Sequence, residues 1–387
     1  MSSKWKAGKE NHQLMPARDY ILTSSQTERC ILVGLAHHNI SDSFIMDNLD
    51  ELAALAETAG ARVVERFIQN RPAPDPAFYI GRGKVNQLQL FVDENDIQMI
   101  IFDDELSPAQ IKNIENQIEV KVIDRTALIL DIFAAHAKSR EAKTQVELAQ
   151  LNYLLPRLTG HWAHLSRQVG GIGTKGPGET QLETDRRLVR NRISKLKSEL
   201  EKIDRQRAVQ RKKANTFLRV AIVGYTNAGK STLMNMLTKS NTYVENKLFA
   251  TLDTTVRRLY LEDQKFVLLS DTVGFIRKLP HHLIASFQST LAQTKEADII
   301  IHLVDISHSL YEEHIKVVHD ILKDLGLEET PLLLVFNKVD KITDTNLLTS
   351  AGMRYSDAIF VSARKSIRLE SIRRRLSLLI QTQHIGK

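Results

Sequence analysis

The sequence predicts an α/β protein: two α/β units, the N-terminal one smaller, joined by a helical hairpin. Three observations predict it. Apolar runs of strand length alternate with helical spacing over residues 29–138 and again from 218 onward, the pattern of βαβ units around mostly parallel sheets. Between them Leu182, Val189, Leu196 and Ile203 recur every seven residues, a coiled-coil seam. Finally, the strand Leu218–Val223 runs straight into a glycine-rich turn that opens a helix.

The elements follow in order. Residues 1–28 are polar and mixed, a flexible N-terminal arm. Cys30–Leu35 reads as a buried strand, Asp47–Ala59 as a helix with Leu49, Leu52, Leu55 and Ala56 on one face, and Arg62–Ile68 as a strand. Lys84–Val92 (helix), Gln98–Phe102 (strand), Pro108–Gln117 (helix), Val120–Ile123 (strand) and Thr126–Ala137 (helix) complete a domain over 29–138. Gly81-Arg82-Gly83-Lys84 resembles an anion-binding helix start. Its glycine spacing is not that of a phosphate loop, so a structural turn is the better reading, ahead of an ATP or RNA site.

Residues 139–215 form the hairpin. Glu141–Leu158 is one helix, interrupted by Pro156, and Glu179–Lys213 is the other, with the Gly-rich tip Gly170–Gly178 between them. From 216 to 387 alternation resumes: strands at Leu218–Val223, Thr255–Leu261, Lys265–Ser270, Asp298–Val304, Pro331–Phe336 and Ala358–Val361, and helices at Lys230–Thr238, near Leu283–Thr294, at Glu312–Leu325 and at Ile367–Gln383.

Composition narrows the class. Hydrophobic residues at 42% and charged residues at 26% exclude disorder of the whole chain. A single cysteine, Cys30, excludes an intramolecular disulfide and a cysteine-based metal site, and fits a reducing cytosol. The longest apolar runs are too short to cross a bilayer, and the N-terminus lacks the apolar core of a secretory signal. A cytoplasmic monomer is expected.

The chemistry sits at strand ends. Gly224-Tyr225-Thr226-Asn227-Ala228-Gly229-Lys230-Ser231, followed by Thr232, is G-x-x-x-x-G-K-S between a strand and a helix. The glycines let backbone N–H groups wrap phosphates, Lys230 neutralises the β- and γ-phosphates, and the Ser231 hydroxyl ligates Mg²⁺. Asp271-Thr272-Val273-Gly274 follows an apolar strand. Asp271 holds Mg²⁺ through a water, and the Gly274 N–H approaches the γ-phosphate. Asn337-Lys338-Val339-Asp340 ends a further strand. The Asp340 carboxylate accepts from guanine N1–H and its exocyclic amine, which adenine does not offer, and Lys338 covers the base. Ser362-Ala363-Arg364 supplies an N–H for guanine O6. Phe249-Ala250-Thr251-Leu252-Asp253-Thr254-Thr255 lies between the first two motifs. A threonine there closes over Mg²⁺, and position alone leaves Thr251, Thr254 and Thr255 as candidates. Four ordered motifs predict a P-loop GTPase domain binding GTP and GDP.

The segment Gly171–Arg187 (GIGTKGPGETQLETDRR) ahead of GYTNAGKS, FATLD at Phe249–Asp253, YIGRGKVNQL at Tyr79–Leu88 and the stretch Asp124–Leu158 resemble the HflX family of bacterial GTPases. Lys175 stands where arginine is more usual, and Thr254 where proline is. The resemblance implies a GTPase, stimulated by ribosomes, that binds the large (50S) ribosomal subunit and its rRNA in ribosome splitting, rescue, recycling or assembly. It also implies Thr251 as the Mg²⁺-ligating threonine beside Ser231.

Two further features bear on mechanism. Many GTPases place a glutamine after the D-x-x-G glycine to orient the attacking water. Here that residue is Phe275, so slow intrinsic hydrolysis with a partner-supplied group is expected. The alternative is that Phe275 packs against the sheet and another side chain, such as His281 or His282, acts in cis. The net charge of +7 is also uneven: residues 161–215 hold 14 Lys/Arg against 6 Asp/Glu, and residues 361–387 hold 7 against 1. Gly173, Thr174, Lys175, Gly176, Arg186, Arg187 and Arg190 are the candidates for RNA contact. The rivals are a regulatory RNA- or protein-binding module using GTP as a state marker, and a GTPase associated with RNA modification.

Overall fold

The computed structural model describes residues 27–36, 42–159, 177–213, 217–239, 248–249, 255–261, 266–278 and 294–385. The first unit comprises β1 (Arg29–Ala36), α1 (Asp42–Thr58), β2 (Arg62–Asn70), α2 (Arg82–Asn95), β3 (Met99–Phe102), α3 (Pro108–Ile118), β4 (Lys121–Asp124) and α4 (Arg125–His136). Its four strands are all parallel, in the order β2-β1-β3-β4. Period-two alternation divides their side chains between two faces. Cys30, Leu32, Met99 and Ile101 meet Leu49, Leu52 and Leu55 of α1 and Ile129 and Phe133 of α4. Ile31, Val33, Ile100 and Phe102 meet Val85 and Leu88 of α2 and Ile114 of α3. Helix starts are set by their caps. Ser107 and Gln110 form a capping box ahead of α3, with Pro108 in its first turn, and the Asp124 carboxylate accepts from Ala127 N–H at 2.9 Å. At the Gly81 turn the backbone N–H donates to Gln69 Oε1 at 2.7 Å.

The hairpin pairs α5 (Arg140–Leu154) with α6 (Pro177–Lys213). Leu148, Ile193 and Leu196 are buried between them, with Leu151, Leu155, Val189 and Leu200 packed alongside. Arg192 and Glu147 pair at 2.6 Å, and Arg140 and Glu199 at 2.5 Å. The helix expected over 141–158 is shorter: α5 ends at Leu154 and the chain turns as a 3₁₀ helix at Arg157–Thr159. Pro156 has no N–H to continue the ladder.

The second unit contains β5 (Arg219–Gly224), α7 (Lys230–Thr238), β6 (Thr255–Tyr260), β7 (Phe266–Asp271), β8 (Ile299–Asp305), α8 (Tyr311–Asp324), β9 (Leu332–Asn337), α9 (Thr345–Arg354), β10 (Ile359–Phe360) and α10 (Leu369–Ile385). The sheet runs β10-β9-β8-β5-β7-β6, parallel except for the antiparallel edge strand β6. Helices α7 and α10 cover one face through Leu233, Leu237, Ile372 and Leu376, and α8 covers the other through Val318 and Leu322. Helix α9 was not among the elements expected. It carries one buried residue, Ala351, and is started by the Asp344 side chain accepting from Asn346 N–H. The helix expected near Leu283–Thr294 lies outside the described residues except at Thr294. Parallel alignment brings the carboxyl ends of β5, β7, β9 and β10 to one edge, and every described nucleotide motif lies there.

Candidate functional site

The phosphate loop leaves β5 at Gly224 under tight constraint: a Cβ at this position would lie 2.2 Å from the Leu303 carbonyl oxygen. Gly229 opens α7 at φ +95°, and a Cβ there would lie 2.5 Å from Asn337 Nδ2. Lys230 is buried, and its Nζ donates to the carbonyls of Gly224 at 3.2 Å and Tyr225 at 2.9 Å. Burial pushes the Lys230 ammonium down to about 8, against the attraction of Asp271. The Ser231 hydroxyl donates to Asp271 Oδ2 at 2.5 Å. A hydroxyl and a carboxylate at that separation are hard oxygen donors of the kind Mg²⁺ takes. The D-x-x-G segment is stitched to the loop, with Phe275 N–H donating to Gly224 O at 3.1 Å and Thr226 N–H to Phe275 O at 2.8 Å.

The base-reading end is built around Asn337. Its Nδ2 donates to Ala228 O at 2.8 Å, and its Oδ1 accepts from Ala363 N–H at 2.9 Å. One buried amide thus ties three of the motifs together. Lys338, at φ +65°, donates to Asn227 O at 2.8 Å and pairs with Asp305 at 2.7 Å. Asp305, at the end of β8, was not among the candidates, and an aspartate closing an apolar strand (IIIHLVD) was its only signal in the sequence. The Ser362 hydroxyl donates to Asp340 Oδ1 at 2.6 Å and holds that carboxyl below the usual carboxylate range. The Arg364 side chain is exposed.

Family models match most of residues 46–338: a GTP-binding GTPase N-terminal region over 46–134, a middle region over 136–214, and a 50S ribosome-binding GTPase over 219–338. GTPase HflX of Flavobacterium psychrophilum is 48% identical over 381 residues, covering 93% of this chain and 92% of that one. The chain belongs to the HflX family of GTPases. GTPase HflX of Escherichia coli is 46% identical over 82% of this chain and 74% of its own. A GTP-binding protein of Sulfolobus solfataricus, solved with GDP, is 28% identical, with a TM-score of 0.46 over 92% of this chain and 100% of that one.

In this GTPase, Phe275 is 2% exposed and packs with Ala221, Val223, Ile300 and Val318 under the central strands. The packing is common to both readings weighed from sequence, since neither gives Phe275 a hydrogen bond to water, and it leaves no hydrogen-bonding side chain at the position after Gly274. His281 and His282 lie outside the described residues, as do Ala250, Thr251, Leu252, Asp253, Thr254, Gly173, Thr174, Lys175 and Gly176. Phe249 is buried, and its ring meets Phe133 of α4 edge-on at 4.7 Å. Its side chain therefore joins the core between the units, in one cluster with Tyr225 of the phosphate loop. Arg187 and Arg190 are exposed on α6 and Arg186 is half-buried.

Sequence reasoning missed the network linking the units. Arg125, 2% exposed, donates from Nη1 and Nη2 to Glu51 Oε1 at 2.8 and 2.7 Å, and from Nη1 to the Arg277 carbonyl at 3.2 Å. Its Nε lies 3.3 Å from Asp103 Oδ1, an ion pair away from the hydrogen-bonding direction. Burial opposes the Arg125 charge, and Asp103 and Glu51 outweigh it. Lys278 pairs with Asp103 and Asp104 at 2.5 Å. The Tyr225 hydroxyl donates to Glu51 and accepts from Arg277 N–H at 2.8 Å. Its ring stacks on His314 at 3.7 Å, and burial pushes that imidazole down to about 3, so the stack is between neutral rings. The order β2-β1-β3-β4 reverses between β1 and β3, where open α/β sheets commonly take ligands at their carboxyl ends. Here Arg277 and Lys278, just past the D-x-x-G motif, reach that edge.

Among the described residues no group of three or more His, Cys, Asp or Glu is placed to hold a metal, and no helix is long and apolar enough to cross a membrane.

Proposed function

We propose that this GTPase is a cytoplasmic, monomeric switch acting on the large ribosomal subunit, in ribosome splitting, rescue or recycling, or assembly. The observation that carries the reading is Phe275. A phenyl ring buried at the water-orienting position cannot hydrogen-bond water, so fast hydrolysis needs a group supplied or positioned by a partner. The 50S ribosome-binding description of the matched GTPase model and the basic hairpin support the ribosome as that partner. The domains are 29–138, 139–215 and 216–387.

In this reading the Gly224–Thr232 loop wraps the phosphates, Lys230 meets the β- and γ-phosphates, and Asp340, Lys338 and Ala363 read guanine. Ser231, Asp271 through a water, and Thr251 hold Mg²⁺, which supplies charge neutralisation across the phosphates. The stretch Gly173–Gly176 with Arg186, Arg187 and Arg190 approaches rRNA.

Density-gradient sedimentation of ribosomes with the protein tests the assignment. With a non-hydrolysable GTP analogue the protein should travel with large subunits or shift whole ribosomes toward subunits, and with GDP it should stay at the top. Identical profiles with every nucleotide would contradict it.

A further inference from the structure

Thr226 has a side chain that the site as described leaves without a role. Its backbone N–H is committed to Phe275 O. Its side chain is buried at 7% exposure, and Oγ1 has no hydrogen-bonding partner among the described residues. Threonine elsewhere in this site behaves differently: Thr272 Oγ1 donates to Ile222 O at 2.7 Å. Buried hydroxyls are almost always paired, because an unmade bond costs the desolvation of the group. A threonine kept unpaired in a tight loop therefore invites a functional account.

Its location supplies one. A Cβ built on Gly274 would lie 2.8 Å from Thr226 Cγ2 and 3.0 Å from Lys230 Nζ. Three groups thus converge: the Lys230 ammonium, the Gly274 backbone and the Thr226 side chain. The lysine of this loop and the D-x-x-G glycine both address the terminal phosphate of a bound nucleoside triphosphate. The Thr226 methyl is the part packed against Gly274, and the hydroxyl shares its Cβ, buried beside the seat of that phosphate.

We propose that the Thr226 hydroxyl is a catalytic group that donates a hydrogen bond to a terminal phosphate oxygen of GTP and strengthens it as charge spreads over the transferring phosphoryl. This rests on the nucleotide seat given under the proposed function. The hydroxyl keeps its proton throughout: water attacks the γ-phosphorus and gives up a proton to a phosphate oxygen, the bond to the β–γ bridging oxygen breaks, and GDP leaves with that electron pair. GDP lacks the acceptor, so the hydroxyl also favours GTP over GDP. The donor partly compensates for the side chain that Phe275 does not supply.

The test uses Thr226→Val, which keeps the Cγ2 contact and removes the hydroxyl, and Thr226→Ser, which keeps the hydroxyl. In the valine variant single-turnover GTP hydrolysis should fall about a hundredfold, the scale for one preorganised donor. Affinity for GTP and for GDP with aluminium fluoride should fall, with GDP affinity nearly unchanged. The thermal midpoint without nucleotide should hold or rise, because an unpaired hydroxyl has been replaced by a methyl. Serine should recover most of the hydrolysis. Unchanged hydrolysis in Thr226→Val, or equal losses of GTP and GDP affinity with a lowered midpoint, would overturn the proposal. Lys230→Ala separates the two levels. If it spares GTP affinity, the seat is wrong and the proposal falls with it. If it abolishes GTP affinity while Thr226→Val hydrolyses normally, only the role of Thr226 is lost.

Discussion

Asp340→Asn should lower GTP affinity by about 10⁴-fold, the scale for a site left with an unpaired buried polar edge, and transfer binding to XTP. The carboxylate accepts two donors, guanine N1–H and the exocyclic amine. Asparagine keeps one acceptor and places an N–H₂ group opposite that amine, donor against donor. Xanthine carries a carbonyl there and restores the match. The local structure should survive, because Asn Oδ1 still accepts from Ser362 as Asp340 Oδ1 does at 2.6 Å. Fluorescent-nucleotide titration with competing GTP and XTP reads the switch. Retained GTP affinity without gain for XTP would show that Asp340 does not face the base.

Arg125→Met should cost about 3–5 kcal/mol, the usual penalty for stripping one partner from a buried ion network. Glu51 and Asp103 are 10% and 4% exposed at their side chains, so both lose a cation where water cannot replace it. The Arg277 carbonyl loses its donor as well. For a unit of this size that is a fall in thermal midpoint on the order of 10 °C. Adding Glu51→Gln and Asp103→Asn to Arg125→Met should recover more than half of the loss, since the buried negative charge that Arg125 balanced is then gone. A midpoint unchanged by Arg125→Met would mean that the network does not hold the units together.

Local signals were legible where chemistry and spacing are local. The alternation of strands and helices, the α6 seam of Val189, Ile193, Leu196 and Leu200, and the ordered motifs of the second unit all follow from short windows, and they place the nucleotide motifs on one sheet edge. Helix α9 was missed because TNLLTSAGMR is short and fully buries only Ala351, with Leu347 and Leu348 as a brief apolar stripe beside it and Asp344 as its cap. The inter-unit network was out of reach for a different reason. Arg125 meets residues 74 and 152 positions away, and nothing in its neighbours marks an arginine for full burial, which is rare for this residue type. Tyr225 and Phe249 likewise sit in nucleotide motifs yet send their rings into the packing between the units, where Tyr225 reaches Glu51 and Phe249 reaches Phe133. Asn337, expected at the nucleotide, also uses its amide to join Ala228 to Ala363. Motif spacing announces a nucleotide. It does not announce which members of the motif serve the scaffold.

The central claim is that this GTPase waits for its partner. Single-turnover GTP hydrolysis, measured with the protein alone and with purified large ribosomal subunits, tests it most directly. Slow hydrolysis alone, with a rise on the order of 10³-fold or more on adding subunits, as when a partner completes a GTPase site, is the predicted result. Equal rates with and without subunits, both fast, would contradict it and place the missing catalytic group within this chain.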